Sequence, residues 1–221
     1  MTSTRDRLVN TAERLFAMQG LDGVALDRIR REAGEKNASA LQYHFGSRQA
    51  LIRAVFETRL EVIDRRRLEI LGHAQLGSRD QAIRICAEAL VIPFAEHLSG
   101  PGEDRYYVRF VAQVYSDPST DWSELLAGGR NEGVYQVGRT LAQLCPELPR
   151  DVVRTRLELV VGFIIHALAD REKALAGNKR RLSRTTAAFV GLLADACVGI
   201  FDAPHSTAAQ REVDRGDRST A

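Results

Sequence analysis

The sequence has no run of about 18 uncharged apolar residues, so it offers no candidate for a membrane-spanning helix. Its opening, MTSTRDRL, carries no apolar stretch of the kind that directs secretion, and a cytoplasmic protein with no membrane contact is expected. Cysteine is scarce. Cys86, Cys145 and Cys197 are odd in number and more than 50 residues apart, which fits reduced core thiols and not a disulfide framework or zinc site. The five histidines, His44, His73, His97, His166 and His205, include no pair at i, i+4 and no neighbouring thiolate, so neither metal nor cofactor is expected. The glycine-rich AGGRNEG (127–133) follows no strand and lacks both the G-x-G-x-x-G order and the Gly-Lys-Ser ending that hold phosphates. Asn37-Ala38-Ser39 has the form of a glycosylation sequon, without meaning in a chain that lacks a secretory signal. No serine, cysteine or carboxylate constellation stands out as catalytic, and the chain is not expected to be an enzyme. Six prolines, 6% aromatics and few alternating runs of β-branched residues exclude an extensive sheet.

What is present is helical. The 221 residues are 44% hydrophobic, and the apolar positions recur at helical spacing, which predicts an all-α protein of about nine helices. The first helix covers about Arg5 to Met18, with Leu8, Ala12, Leu15 and Phe16 on one stripe and Gly20 as its stop. A second carries Leu26, Ile29 and Ala33 and stops at Gly34; Ala25 is a poor cap for it unless Asp27 serves instead. A third runs from about Lys36 to Phe45, with Ala38, Leu41 and Phe45 inward and Gly46 closing it. Two short helices meeting at a sharp turn, backed by a third upstream, predict a helix-turn-helix whose last helix reads DNA.

If Ala38, Leu41 and Phe45 face inward, a turn of about 100° per residue puts Lys36, Ser39, Ala40 and Tyr43 on the other side. Such a face fits a major groove about 12 Å wide, with Ala40 against a thymine methyl. The competing assignments are Tyr43 packed on the first helix and Lys36 in a plain solvated turn. Charge alone decides little: residues 1–60 hold ten Lys or Arg against seven Asp or Glu, a net of +3.

From Ser47, a good N-cap, a long helix is predicted to about His73, a rod of about 38 Å at about 1.5 Å per residue. Its Arg65-Arg66-Arg67 run reads as a solvated face. Five more helices follow at about 78–98, 103–116, 121–144, 149–175 and 183–202, with Pro93 inside the first and Asp121 and Pro149 as starts. The last two are the most apolar, LELVVGFIIHALA and AAFVGLLADACVGIF, and their scattered small residues permit close helix approach. Beyond Pro204 the polar sequence has no periodicity and reads as a disordered tail.

The stretch from about Val9 to Glu57, with TAERLFAMQG, Ile29, Ala33-Gly34 and ALQYHFGSRQALIRAVFE, resembles the DNA-binding domain of TetR-type (TetR/AcrR) transcriptional regulators. The resemblance implies a DNA-binding domain at residues 1–47 and a ligand-binding and dimerisation domain at 48–203, with 204–221 as the tail. It implies a homodimer through the helices at about 149–175 and 183–202, a palindromic double-stranded DNA operator, and a small-molecule effector. By position it places Lys36, Asn37, Ala38 and Ser39 near bases and Tyr43, His44 and Arg48 on phosphates. Two departures stand out: the turn EKNAS reads one residue longer than is common in the family, and Arg30 stands where a small residue is usual, which moves a phosphate contact to Arg28. Effector contacts are expected on the Pro93 helix and its neighbours, at Phe94, His97, Tyr107, Phe110, Val111 and Tyr115. A ligand-released repressor is the first reading. Its alternatives are an activator of the same fold, and a helical small-molecule-binding protein or enzyme that does not read DNA.

Overall fold

The computed structural model describes residues 3–72, 77–98, 106–121, 125, 131–177 and 184–204. Among these are nine α-helices, one 3-10 turn and no strand: α1 (Thr4–Gln19), α2 (Leu26–Glu32), α3 (Ala40–Phe45), α4 (Arg48–Leu71), α5 (Arg79–Ala95), α6 (Tyr107–Ser116), α7 (Glu132–Leu144), α8 (Arg150–Ala176) and α9 (Thr186–Asp202). No helix among the described residues is long and apolar enough to cross a membrane.

Helix boundaries follow local chemistry. Ser3 caps α1 reciprocally with Asp6: the Asp6 amide donates to the serine hydroxyl at 3.1 Å and the Ser3 amide to the carboxylate at 3.2 Å. Ser47 accepts from the Ala50 amide at the start of α4, and Thr185 accepts from that of Ala188 at the start of α9. Gly20, Gly34 and Gly46, the three stops read from sequence, have φ of 79°, 70° and 72°, a region open to glycine and costly for other residues. Ala25 supplies no side-chain bond to α2, as its chemistry dictates. Helix α5 passes through Pro93 and gives way three residues later to the 3-10 turn Glu96–Leu98. Pro149 precedes α8 as its cap position and is not its first helical residue. The predicted start of the helix at 103, most of residues 122–130, His73 and the tail from His205 lie outside the described residues.

A single hydrophobic cluster runs from α1 to α9. Helix α6 is the wedge in it. Phe110 of α6 meets Phe16 of α1 with ring centroids 6.2 Å apart, and the buried Tyr107 hydroxyl donates to the Phe56 carbonyl of α4 at 2.8 Å. Tyr106 provides α6 with no side-chain cap; Glu172 of α8, fully buried, accepts instead from the Val108 and Arg109 amides at 3.3 and 3.1 Å. Its carboxylate also takes Arg109 Nε at 2.9 Å, which satisfies a charge that would otherwise be stranded in the core. The expectation of a solvated basic run fails at Arg67. That residue is 2% exposed, because it follows Ile63 by four positions and so shares its buried face.

Candidate nucleic-acid interface and ligand cavity

The candidate reading helix is preceded by a turn. Arg30 Nη1 donates to the Glu35 carbonyl at 2.6 Å, and the Asn37 amide donates to Glu35 Oε1 at 3.1 Å. Asn37 Oδ1 then accepts from the Ser39 amide at 3.0 Å, an Asx turn that competes with helix. Helix α3 therefore starts at Ala40, four residues later than the spacing predicts, and the inward register moves with it. Ala40 and Leu41 are buried at 4% and 8% exposure, while Ala38 is exposed. Two expectations are corrected accordingly: Ala38 does not face the core, and Ala40 presents no methyl for a thymine to meet.

Lys36, Asn37, Ala38, Ser39 and Tyr43 share the exposed side, joined by Gln42, which periodicity from the wrong start had not singled out. The signal for it was the Asn-x-Ser sequence itself, a turn former at a helix entrance. Tyr43 is 83% exposed and stands edge-on to the half-buried His44 at 5.1 Å, so it is not packed on α1.

Carboxylates hold most of the nearby arginines in place. Glu32 takes Arg14 at 2.6 Å and Arg28 at 2.7 Å, and Asp27 takes Arg30 at 2.7 Å and Arg31 at 3.0 Å. Hydrogen bonds from Arg28, then Arg14, draw the Glu32 carboxyl below the usual range, and Arg30 does the same for Asp27. Arg28 also donates to Gln19 at 2.6 Å, which leaves it at the surface with its direction fixed. Lys36 makes no ion pair among the described residues and is an exposed cation at the mouth of the unit.

Arg48 points elsewhere than expected. Its Nη1 donates to the Val24 carbonyl at 2.8 Å, its Nη2 donates to the Leu21 carbonyl, and the guanidinium lies over the Phe16 ring at 5.3 Å. The residue that the resemblance expects on a phosphate makes an internal contact here: it ties the start of α4 to the α1–α2 loop.

A cavity of about 910 Å³ opens between α4, α5, α6, α7 and α8. Phe94, Val111 and Tyr115 line it, with Phe56, Leu60 and Arg67 of α4 and Val134, Leu157, Val161, Ile164 and Ile165 of α7 and α8. The other three expected contacts do not reach it. Phe110 turns to α1, Tyr107 fills the space between α6 and α4, and His97 packs on the Tyr107 ring at 5.8 Å. Burial, and next the charge of Arg59, hold the His97 imidazole below its ordinary range. Burial pushes the Cys86 and Cys197 thiols up to about 12, which keeps them protonated and unreactive. No cluster of metal-ligating side chains occurs among the described residues.

Two family models match the chain: one described as bacterial regulatory proteins, tetR family, over residues 8–55, and one described as tetracyclin repressor-like, C-terminal domain, over residues 88–199. Among solved structures, a transcriptional regulator from Rhodococcus sp. Rha1 is 18% identical with a TM-score of 0.55, over 90% of this chain and 96% of that one. A TetR-family transcriptional regulator from Streptomyces coelicolor is 21% identical with a TM-score of 0.54, over 90% and 94%. At such identity the likeness is one of fold. No curated protein matches by sequence.

Proposed function

Because the chain belongs to the TetR family of bacterial regulatory proteins, we propose that it is a homodimeric repressor released from a palindromic operator by a small molecule. Residues 1–47 read DNA in this proposal, residues 48–203 bind the effector and the second copy, and no step is catalytic. The observation that carries it is the double employment of α4. Arg48 at its start holds the α1–α2 loop of the reading unit, and Phe56, Leu60 and Arg67 farther along line the cavity. Over its 24 residues, about 36 Å, one continuous helix connects the two.

The exposed face of residues 36–43 supports base and phosphate contacts. Lys36, Asn37, Ser39 and Gln42 reach bases, while Tyr43, His44 and Arg28 set the register on phosphates. Dimerisation has its support on α8 and α9, where Leu159, Phe163 and Leu192 are 62%, 43% and 50% exposed. Open space in front of Gly191 and Gly199 lets a partner helix approach closely. Two readers then enter successive major grooves about 34–36 Å apart.

Selection of bound fragments from a genomic library, followed by fluorescence anisotropy on single-base operator variants, tests the reading. Lys36→Ala and Gln42→Ala should change which bases are preferred, Gln42 most at an adenine. Tyr43→Phe should weaken all sequences alike. Failure of the purified protein to enrich any sequence at low salt would overturn DNA reading, and equal losses across all variants for both Lys36→Ala and Gln42→Ala would remove them from the base-contacting set.

A further inference from the structure

The cavity is apolar over most of its wall, and its charges are nearly all of one sign. Arg67, Arg139, Arg150 and Arg154 line it against a single acid, Glu158. The three outer arginines differ from the inner one. Arg139 is exposed and paired with Glu132, Arg154 is exposed and 3.9 Å from Glu158, and Arg150 has no ion pair among the described residues. These are rim charges in water, screened but able to draw anions toward the opening.

Arg67 is a buried cation with one end committed and one end spare. Its Nε donates to the Ala89 carbonyl at 3.2 Å and its Nη1 to Asp64 Oδ1 at 3.0 Å, whereas Nη2 makes no hydrogen bond among the described residues. Asp64 has other demands on it. It is absent from the cavity wall, and both its oxygens accept from the Gly133 amide, at 3.0 and 3.2 Å. Burial works against the Arg67 charge more strongly than Asp64 supports it. Arg67 also lines the apolar cavity, and a buried cation with an unused donor in such a wall is stabilised by an anion entering it.

We propose that the effector is an apolar monocarboxylate, whose carboxylate takes Arg67 Nη2 and whose hydrocarbon body lies against Phe56, Phe94, Val161 and Ile164. The inference rests on the reading of the cavity as the effector site. About 910 Å³ lies at the upper end of small-molecule cavities and accommodates a body of about ten carbons or more. A neutral alcohol accepts the same hydrogen bond without its charge, and an amine brings a like charge to Arg67, which rejects it.

Decanoate, 1-decanol and decylamine, equal in length and different only in head group, decide the matter by titration calorimetry on the full chain. Decanoate should bind about tenfold tighter than 1-decanol, the margin expected between a charge-assisted and a neutral hydrogen bond, and decylamine should give no heat. The paired change Asp64→Asn with Arg67→Gln, which leaves no lone buried charge, should abolish the margin by weakening decanoate far more than 1-decanol. Should that variant not fold, the three head groups on the unaltered chain still decide. Binding of 1-decanol or decylamine as tight as decanoate overturns the anion inference and leaves the effector site standing. A margin that survives the paired change overturns the role of Arg67, and no binding by any of the three overturns the effector-site reading itself.

Discussion

Arg48→Ala separates two roles that a basic residue at the head of the long helix could have. As observed, its guanidinium donates to two loop carbonyls, Leu21 and Val24, and covers the Phe16 ring. Hydrogen bonds to a charged group contribute about 1.5–3 kcal/mol each and an exposed cation–π contact about 0.5–1. The carbonyls belong to Leu21 and Val24, both buried, so water replaces the lost donors poorly, and even the low end of each range gives about 3.5 kcal/mol in all. For a chain of this length that corresponds to a fall of about 7–14 °C in Tm. The DNA consequence is the discriminating one. A phosphate-binding arginine removed from both protomers would lower the slope of log K against log salt by about 1.8, from about 0.9 per phosphate. Arg48 as a loop tie predicts a weaker complex with an unchanged slope, since the readers lose their setting and no counterion contact is lost. Anisotropy titrations at four or five salt concentrations, with calorimetric melting of the free protein, measure both. A slope reduced by nearly two with an unaltered Tm would refute the internal role.

Two further substitutions test the packing around the cavity. In Gly133→Ala the new Cβ would stand 2.8 Å from both Arg67 Cδ and Asp64 Oδ1, atoms fixed in a buried pair; a loss of about 1–3 kcal/mol in urea unfolding is expected, and a loss below about 0.5 would mean the pair yields freely. His97 has its pKa held down by burial, so between that lowered value and about 6.5 the unfolded chain takes up a proton that the folded chain refuses. Stability should therefore fall as pH drops through that window, and His97→Gln should flatten the fall; parallel urea midpoints for the two proteins at pH 7.5 and 5.5 would count against it.

The backbone punctuation was legible before the fold was known. Gly20, Gly34 and Gly46 could be read as helix stops because a left-handed residue at that place is a local requirement, met by glycine whatever surrounds it. The start of α3 was not, because the Asn37 side chain offers its neighbours' backbone an alternative to helix, and apolar spacing alone cannot weigh that competition. Arg67 was hidden in a run of three arginines that look alike. Successive residues on a helix point about 100° apart, and the buried Ile63, four positions earlier, marks which of the three turns inward. The cavity was the least legible part. Phe110 and Val111 are adjacent apolar residues on one helix, and only the position of α1 decides that the first is core and the second a cavity wall.

The contacts along α4 also say where the two halves of the chain can move against each other. Near its start, Arg48 holds the α1–α2 loop and Arg59 reaches the buried Glu13 of α1 at 3.1 Å, so the reading unit and the first half of α4 form one packed body. Farther along, Asp64 and Arg67 bind α4 to α7 through the Gly133 amide and to α5 through the Ala89 carbonyl. A shift of the readers relative to α5 must therefore be taken up beyond Arg59, on the segment that carries the cavity's arginine. A ligand changes the readers' equilibrium only to the extent that it favours one setting of that segment over the other, and turning a 1:99 population into 99:1 takes about 10⁴-fold differential affinity. An occupant that touches Phe56, Leu60 and Arg67 acts on the last turns before and after that joint, whereas one confined to the α7–α8 wall would bind both settings alike and leave the readers where they were.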